Sequence, residues 1–390
     1  MDFFKNIFRR REVLASNLLY IVYFLLGMYY PFFSFMQKTF PGDMFLVVYI
    51  QHMLFFLLLL KAILQKNSVF DWFFLIVLLY LCRKSYQYNY DFYNIFGTMM
   101  LLCCSKKISI DKVVKLDLYI RIIRSVLFIG LPFVELMPYN VSVGSRNRIF
   151  FGWTHPNMMG LDFLLLSLDI MYLRRGKRKW YDCFIYIVIT IFLNITANSR
   201  TAEIVILLLT GVHLLSFLMK ESLFHKLVVL FSCCATLTCF TLPYIGRYLY
   251  LSFPEYHSQW ESTILIRIQQ TTYFIEKNYG VGFYGFPIEN DDCLDMLSAY
   301  VSLHWGIAAA AVIIICIVFS ICMATKEHNT YFLILLSLLL IYGCAETAHI
   351  YPVYSYFPLI FGYYVMNNNI TKLFNKKMNI RRGEVPKTLL

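Results

Sequence analysis

Residues 294–323 read LDMLSAYVSLHWGIAAAAVIIICIVFSICM, and after Asp295 this stretch contains no Asp, Glu, Lys or Arg. Such an apolar run exceeds the roughly 20 residues that a helix needs to cross a bilayer. Similar runs recur along the chain, in which 59% of the 390 residues are hydrophobic and 15% are charged. This composition excludes a soluble globular protein. It predicts an all-α polytopic integral membrane helix bundle, because a helix satisfies its own backbone hydrogen bonds in lipid.

The apolar runs predict about twelve transmembrane helices within a single membrane domain, residues 1–390. They are expected at 13–36, 43–60, 69–82, 92–104, 118–138, 156–173, 181–197, 201–219, 227–246, 294–323, 330–345 and 352–366. Two longer connections, 139–155 and 247–293, are expected to be loops on the outer side. The second contains a helix-like stretch at 262–277 and a glycine-rich turn at 280–285. A structured loop of this length usually carries function.

The distribution of the 35 basic residues sets the orientation of these helices. With the N-terminus inside, most Lys and Arg fall in inner segments, including the run Arg174–Lys179 and a basic tail at 367–390. Arg121 and Arg124 are placed in the first turns of the helix 118–138. Cytoplasmic segments carry such an excess of positive charge, so both termini are expected in the cytoplasm of a plasma-membrane protein. Membrane lipids rather than nucleic acid explain the net charge of +12.

Several ionisable residues fall on the outer side, where the excess of positive charge on the cytoplasmic side does not explain them. They are Arg146, Arg148, His155, Arg200, Arg267, Asp292, Asp295, Glu346 and His349. A planar guanidinium group donates parallel hydrogen bonds to phosphate oxygens, which a pyrophosphate supplies. The arginines are therefore candidate ligands of an anionic, lipid-linked substrate.

The segment GSRNRIFFGWTHPNMMG, residues 144–160, leads from the first outer loop into a predicted helix. Pro156 suits the first turn of a helix, where its missing amide proton costs nothing. His155 is thereby placed at the helix cap, with Arg146 and Arg148 just before it. An ordinary helix start with solvated arginines has the same pattern, and spacing alone does not separate the two interpretations.

Arg200, Arg267 and Asp295 each have two interpretations. Arg200 lies in the short turn 198–203, where its side chain either extends to lipid phosphates or binds a substrate pyrophosphate. Arg267 belongs to the amphipathic stretch 264–270, which either lies along the membrane or faces inward. Asp295 either stabilises a helix N-terminus or takes a proton from a sugar hydroxyl.

Other chemistries have no sequence motif. A glycine-rich nucleotide loop, a zinc-binding His pair and a serine nucleophile elbow are absent from the sequence. The eleven cysteines lie mostly within apolar runs and lack metal-ligand spacing. Neither a metal nor a cofactor is therefore expected. Glu346 and His349, at the outer end of a predicted helix, are secondary acid–base candidates.

Three segments resemble the O-antigen ligase and polysaccharide polymerase superfamily, most closely its Wzy-type polymerases. Residues 148–160 read Arg-x-x-x-Gly-x-x-His-Pro-Asn-x-x-Gly, which is similar to a signature of these polymerases. The turn Asn198–Thr201 looks like the short Ser-Arg turn of the family. The stretch 267–306 resembles its large extracytoplasmic loop. Where the family often reads Asp-Asn-x-Tyr, this chain reads Asp-Met-Leu-Ser from Asp295, so Asp292 is an alternative acid.

The resemblance implies metal-independent glycosyl transfer at the outer face of the bacterial plasma membrane. A glycan on undecaprenyl pyrophosphate would be moved onto another lipid-linked oligosaccharide, in the synthesis of capsule, exopolysaccharide or O-antigen. A flippase and a chain-length regulator of the same pathway are the implied partners. The arginines would stabilise the departing pyrophosphate. The base that activates the acceptor hydroxyl would be Asp295, Asp292 or His155.

Two other functions stay open. A ligase of the same superfamily would transfer finished glycan to a different acceptor, and the signature favours a polymerase only modestly. A twelve-helix transporter or flippase is the other alternative. Most predicted spans lack ionisable residues at mid-depth and no repeat relates the two halves, which speaks against transport.

Overall fold

The computed structural model describes residues 2–40, 44–89, 92–142, 148–177, 179–254, 263–289 and 294–367. Within these ranges the chain is almost entirely helical. The helices are α1 Asp2–Thr39, α2 Met44–Leu64, α3 Val69–Asn89, α4 Phe92–Cys104, α5 Ile110–Gly130, α6 Pro156–Leu173, α7 Asp182–Ile195, α8 Arg200–Leu218, α9 Glu221–Ser252, α10 Thr263–Lys277, α11 Leu297–Ala299, α12 Ile307–Lys326, α13 Thr330–Gly343 and α14 Phe357–Asn367. The all-α prediction is confirmed. The predicted basic tail lies beyond Asn367, outside the described residues.

Five of the described helices are long and apolar enough to cross a membrane. They lie at Arg11–Thr39, Phe45–Leu64, Arg200–Leu218, Glu221–Ser252 and Ile307–Lys326. Parts of α4, α7 and α13 are also apolar but shorter. Large apolar side chains such as Phe56 and Leu237 are exposed on the outside of the bundle, which suits contact with lipid. The fold is therefore that of a helical membrane protein.

The core of the bundle is formed around α13 and α14. Every residue from Phe332 to Leu340 in α13 is at most 2% exposed. A helix that is apolar on all sides is stable only when neighbouring helices surround it. α13 packs against α9 and α12, while α14 packs against α4 and α12. α5 packs against α6, and α6 packs against α8.

α5 starts earlier than the sequence predicted. It begins at Ile110 instead of residue 118, and Ser109 caps it by accepting a hydrogen bond from a backbone amide. The prediction that placed Arg121 and Arg124 in the first turns of this helix is therefore wrong. Both lie near the middle of α5 and are at most 1% exposed. Their acidic partners lie partly on α6, which a local pattern in the sequence does not reveal.

The stretch 294–323 was predicted as one helix, and this prediction is also wrong. α11 continues as a π-helical turn, Tyr300–His304, which ends at Trp305. Gly306 then has a φ of 97°, and α12 begins at Ile307. A left-handed φ favours glycine, because other L-residues are strained there.

The glycine-rich turn occupies this break. The Gly282 carbonyl accepts a hydrogen bond of 3.2 Å from the Ile307 amide, at the start of α12. A Cβ on Gly285 would lie 1.9 Å from the His304 carbonyl oxygen, and one on Gly306 would lie 2.5 Å from the Gly285 nitrogen. The two backbones therefore approach closely because both positions lack a side chain.

Both predicted outer loops contain regular structure. Before α6, β1 Asn140–Ser142 pairs antiparallel with β2 Arg148–Phe151. The Gly152 amide then donates to the Phe128 carbonyl at 2.9 Å, which ties this hairpin to α5. In the second loop, α10 confirms the predicted helix-like stretch. Arg247 lies within α9, because that helix extends beyond its predicted end.

Candidate functional site

Polar residues from separate parts of the chain meet at one end of the bundle. They come from the start of α6, the start of α8, the first half of α10, the segment before α11 and the segment after α13. We call the group formed by Asn157, Thr201, Arg267, Asp295 and Glu346 the Glu346 cluster. Three of its members were candidate site residues in the sequence, and the structure brings these three together.

Glu346 lies at the centre of the cluster and is 6% exposed. Its Oε1 accepts hydrogen bonds from Arg267 Nη2 at 2.6 Å and from Asn157 Nδ2 at 2.8 Å. The Thr201 side chain also hydrogen-bonds it. Burial, which Arg267 opposes and Asp295 reinforces, raises the pKa of Glu346 to about 7. Both protonation states are therefore populated at neutral pH, which suits a group that exchanges protons.

Arg267 is buried on the inward face of α10. Its guanidinium lies between two carboxyl groups, because Nε is 3.4 Å from Asp295 Oδ2 while Nη2 contacts Glu346. Ile268 and Phe274 of the same helix are also buried, as an amphipathic helix that packs on a core requires. Of the two interpretations of this stretch, the inward-facing one agrees with the structure.

Asp295 and Glu346 differ in their access to solvent. The Asp295 side chain is 39% exposed, whereas that of Glu346 is 8% exposed. A molecule from solution can therefore reach the Asp295 carboxyl group directly. Glu346 is enclosed, and Arg267 lies between it and Asp295.

His155 caps the N-terminus of α6. Its Nδ1 accepts a hydrogen bond of 3.2 Å from the Asn157 amide, so Nε2 carries the proton of the neutral ring. Burial lowers the pKa of His155; Asp295 opposes this effect, while Arg148 and Arg267 reinforce it. The ring is therefore neutral at pH 7 and presents a hydrogen-bond donor. The predicted role as a base requires the other tautomer.

The His-Pro-Asn segment and the Ser-Arg turn form a single contact. A Cβ on Gly160 would lie 2.2 Å from Ser199 Oγ, so glycine at this position lets α6 approach the start of α8. Ser199 Oγ lies 3.5 Å from Asn157 Oδ1. The Tyr342 hydroxyl donates to the Asn157 carbonyl at 3.3 Å. Asn157 is thereby oriented with its amide nitrogen toward Glu346.

The two residues before His155 are anchored in the interior of the bundle. Trp153 is fully buried, and its Nε1 donates to Asp162 Oδ2 at 2.8 Å. The Thr154 amide donates to the Tyr30 hydroxyl at 2.9 Å. These bonds fix the position from which His155 caps α6.

An apolar groove opens beside the cluster and has a volume of about 640 Å³. Its walls are formed by apolar residues of α8, α9 and α13, among them Ile204, Val205, Phe231, Ala235, Leu242 and Ile341. Along α9, from Leu242 to Phe231, it extends for about 16 Å. Arg200 and Thr201 also line it, at the end nearest to Glu346. Arg200 is exposed, so its guanidinium is accessible to a ligand there.

The remaining candidates lie in different environments. Arg148 is half-buried in β2, and its influence on the pKa of His155 places it near the start of α6. Arg146 and Asp292 lie outside the described residues.

His349 is completely buried. It packs against the rings of Tyr342 and Phe357, with centroid distances of 5.4 and 4.9 Å. Burial lowers the pKa of His349 to about 3, so the ring is neutral. This environment suits packing and does not suit the predicted acid–base role.

Sequence reasoning missed Asn157 and Thr201 as hydrogen-bond partners of Glu346. Asn157 belongs to the His-Pro-Asn segment and Thr201 to the Ser-Arg turn, so the sequence indicated both residues but not their contact with Glu346. Within the described ranges, no group of three His, Cys, Asp or Glu side chains is placed to hold a metal ion. The fold and site define a helical membrane protein with a charged cluster at the end of an apolar groove. Comparison with protein families, curated proteins and solved structures finds no match for this chain.

Proposed function

We propose that the protein is a polysaccharide polymerase of the bacterial plasma membrane. It joins undecaprenyl-pyrophosphate-linked oligosaccharide repeat units at the outer face, with about twelve transmembrane helices and both termini in the cytoplasm. The resemblance of residues 148–160 to a polymerase signature supports this function. The observation that carries the proposal is the Glu346 cluster beside the apolar groove.

The proposed donor substrate has two chemically different parts, a long apolar chain and a charged pyrophosphate. The groove offers apolar walls for the chain, and Arg200 lies where the groove meets the cluster. Arg267 lies farther along, with its guanidinium between two carboxyl groups. A guanidinium fork suits a phosphate better than an ammonium group does, because it donates two parallel hydrogen bonds.

The reaction is a displacement at the anomeric carbon of the donor glycan. The acceptor hydroxyl attacks this carbon, and a new glycosidic C–O bond forms. The bond from the carbon to the phosphate oxygen breaks, and undecaprenyl pyrophosphate leaves with the electron pair. The hydroxyl proton passes to Asp295, which is the accessible carboxylate. Arg200 and Arg267 stabilise the negative charge that develops on the leaving group.

Substrate binding at Arg267 is coupled to the protonation of Glu346. A pyrophosphate that binds Arg267 must compete with Glu346 for the same guanidinium. The arriving negative charge disfavours the ionised form of Glu346, because like charges repel. Glu346 therefore takes up a proton as the substrate binds, and its hold on Arg267 weakens. His155 Nε2 is placed to donate a further hydrogen bond to a phosphate oxygen.

The test is the size distribution of lipid-linked glycans in a strain that lacks the chain. Single lipid-linked repeat units that accumulate outside the membrane support a polymerase. Long lipid-linked polymer that fails to reach its final acceptor indicates a ligase, and single units trapped inside indicate a flippase. Complementation with Arg267→Ala should not restore polymer, whereas Lys277→Ala, on the same helix, should restore it.

A transporter is a second candidate because one observation favours it. α5 and α6 carry five buried ionisable residues, which most of the predicted spans were expected to lack. Such residues often line ion or proton pathways in membrane proteins. Liposomes that contain the protein and an enclosed pH-sensitive dye separate the candidates. Glycan movement with a coupled pH change supports transport, and polymer formation without it supports the polymerase.

A further inference from the structure

Ionisable side chains are enclosed where α5 packs against α6. We call them the α5–α6 charge cluster; its members, each at most 1% exposed, are Asp117, Arg121, Arg124, Asp162 and Asp169. At 1.5 Å per residue, Arg121 lies about 17 Å from the start of α5 and about 14 Å from its end. The members of the cluster are therefore enclosed by protein, and the proposed glycosyl transfer does not use them.

Asp117 is surrounded by donors. Arg121 donates to both of its oxygens, through Nε and Nη2, each at 2.9 Å. The Tyr23 hydroxyl donates to the same carboxyl group at 2.6 Å. These charge-assisted bonds require the ionised form of Asp117.

Asp162 is surrounded in the same way. Arg121 Nη1 donates to its Oδ1, and Arg124 Nη2 lies 3.0 Å from its Oδ2. Trp153 Nε1 also donates to Oδ2, at 2.8 Å. Each oxygen of Asp162 therefore faces a cation, and this carboxyl group is ionised as well.

Asp169 lacks a comparable arrangement. Its Oδ1 accepts a hydrogen bond of 2.6 Å from the Tyr356 hydroxyl. Its carboxyl group also lies within hydrogen-bonding reach of the Asp117 carboxyl. Within the described residues, no donor hydrogen-bonds to its buried Oδ2. Two carboxylates this close repel each other unless one of them carries a proton.

The charges of the cluster balance only with one proton. Two guanidinium groups cannot neutralise three carboxylates, and an uncompensated charge in a dry interior is strongly unfavourable. We propose that Asp169 is a proton-binding site, a neutral carboxylic acid that donates its proton to Asp117. The groups that face it are Asp117 and Arg121 on α5, Tyr23 on α1 and Tyr356 before α14.

Infrared spectroscopy of the whole protein at neutral pH tests this site. A protonated carboxyl group has a C=O stretch separate from that of a carboxylate, and isotope-labelled aspartate distinguishes it from Glu346. The wild type should show a protonated-aspartate band. Asp169→Asn should remove it, whereas Asp111→Asn should keep it, because Asp111 is an exposed partner of Arg175.

Two results would overturn the proposal. One is a wild-type spectrum without a protonated-aspartate band, and the other is a band that persists in Asp169→Asn. Tyr356→Phe provides a second test, which does not require Asp169→Asn to fold. This change keeps Asp169 and removes one hydrogen bond to its Oδ1. The band should shift in Tyr356→Phe, and an unmoved band also contradicts the assignment. An asparagine side chain is neutral and similar in shape to a protonated aspartic acid. The thermal unfolding midpoint of Asp169→Asn should therefore equal that of the wild type.

Discussion

Asn157 Nδ2 donates a hydrogen bond of 2.8 Å to Glu346 Oε1 and so joins the start of α6 to the segment that follows α13. The two residues are 189 positions apart in the chain. The amide holds the carboxyl group in place without adding a positive charge. Arg267 is then the cation in direct contact with Glu346, and burial keeps the pKa of Glu346 near 7.

Arg267→Ala should lower the rate of chain extension by about a hundredfold or more, because it removes a donor to the developing negative charge. Arg267→Lys should also be impaired, since a single ammonium loses the two-pronged contact. Lys277→Ala on the same helix is the control, because Lys277 pairs with the exposed Glu289. The measurement is polymer length at equal amounts of membrane-inserted protein. Normal polymer from both Arg267 variants would contradict this role.

Glu346 should make the stability of the protein depend on pH. Its pKa rises from an ordinary 4.5 to about 7 in the folded protein. The folded state therefore binds this proton more tightly than the unfolded state does. The contribution of Glu346 to the free energy of unfolding is fully present below about pH 4.5 and is lost as the pH rises to about 7. The loss should be about 3 kcal/mol.

Unfolding midpoints across this pH range measure the effect. Glu346→Gln should flatten the dependence, whereas Glu289→Gln should leave it, because Glu289 is exposed. An unchanged pH profile in Glu346→Gln would show that another group causes it.

A bulky side chain in the apolar groove should block the lipid chain of the substrate. Cys233 and Cys234 are adjacent and exposed on α9, but only Cys234 lines the groove. Cys234→Trp should therefore reduce polymer length, and Cys233→Trp should not. Equal activity of the two variants would show that the lipid chain of the substrate does not bind in the groove.

Asp162→Asn should destabilise the protein by about 3–5 kcal/mol, because it leaves buried guanidinium groups without their carboxylate. Asp111→Asn removes an exposed ion pair and should cost less than about 1 kcal/mol. Thermal unfolding in detergent compares the two. A similar midpoint for both would mean that the charges of the α5–α6 charge cluster contribute little net stability.

Gly306→Ala should destabilise the protein by about 2 kcal/mol or more, because the left-handed φ is strained for alanine and the new Cβ meets the Gly285 backbone. Gly211→Ala is the control, since Gly211 lies in the interior of α8 with no neighbouring atom within 4 Å of its Cβ position. This second change should stabilise by up to about 1 kcal/mol. Unfolding of both variants tests the role of the break before α12.

Helices that combine an apolar run with clear signals at their ends were predictable from the sequence. The predicted helix 156–173 matches α6, and 201–219 and 330–345 match α8 and α13 within two residues. Their ends carry local signals, such as Pro156 at the first turn of α6. Apolar composition and terminal residues therefore locate elements whose boundaries depend on nearby sequence.

Non-local contacts limited the rest of the fold prediction. Charges in α5 suggested a helix end near Arg121, whereas they pair with residues such as Asp162 across the bundle. The break at Gly306 is hidden in an apolar run, because the carbonyl groups that receive the first amides of α12 come from Gly282 and Phe283. Neither partner is visible from local composition.

The site shows the same division. The residue types at Arg267 and Asp295 indicated acid–base and anion-binding chemistry, because charges at the end of a membrane helix are costly without a partner. The contact of Arg267 with Glu346 spans 79 positions, and a single sequence does not reveal it. The tautomer of His155 likewise depends on a cap geometry that only the structure provides.

The most direct test of the proposed function uses the purified protein in liposomes with undecaprenyl-pyrophosphate-linked repeat units from a strain that lacks the chain. Polymer length and released undecaprenyl pyrophosphate are measured together, with Arg267→Ala as the inactive comparison. We predict longer glycans with one undecaprenyl pyrophosphate released per bond formed, in the wild type only. Repeat units that stay unlinked in the presence of correctly folded wild-type protein would contradict a polymerase.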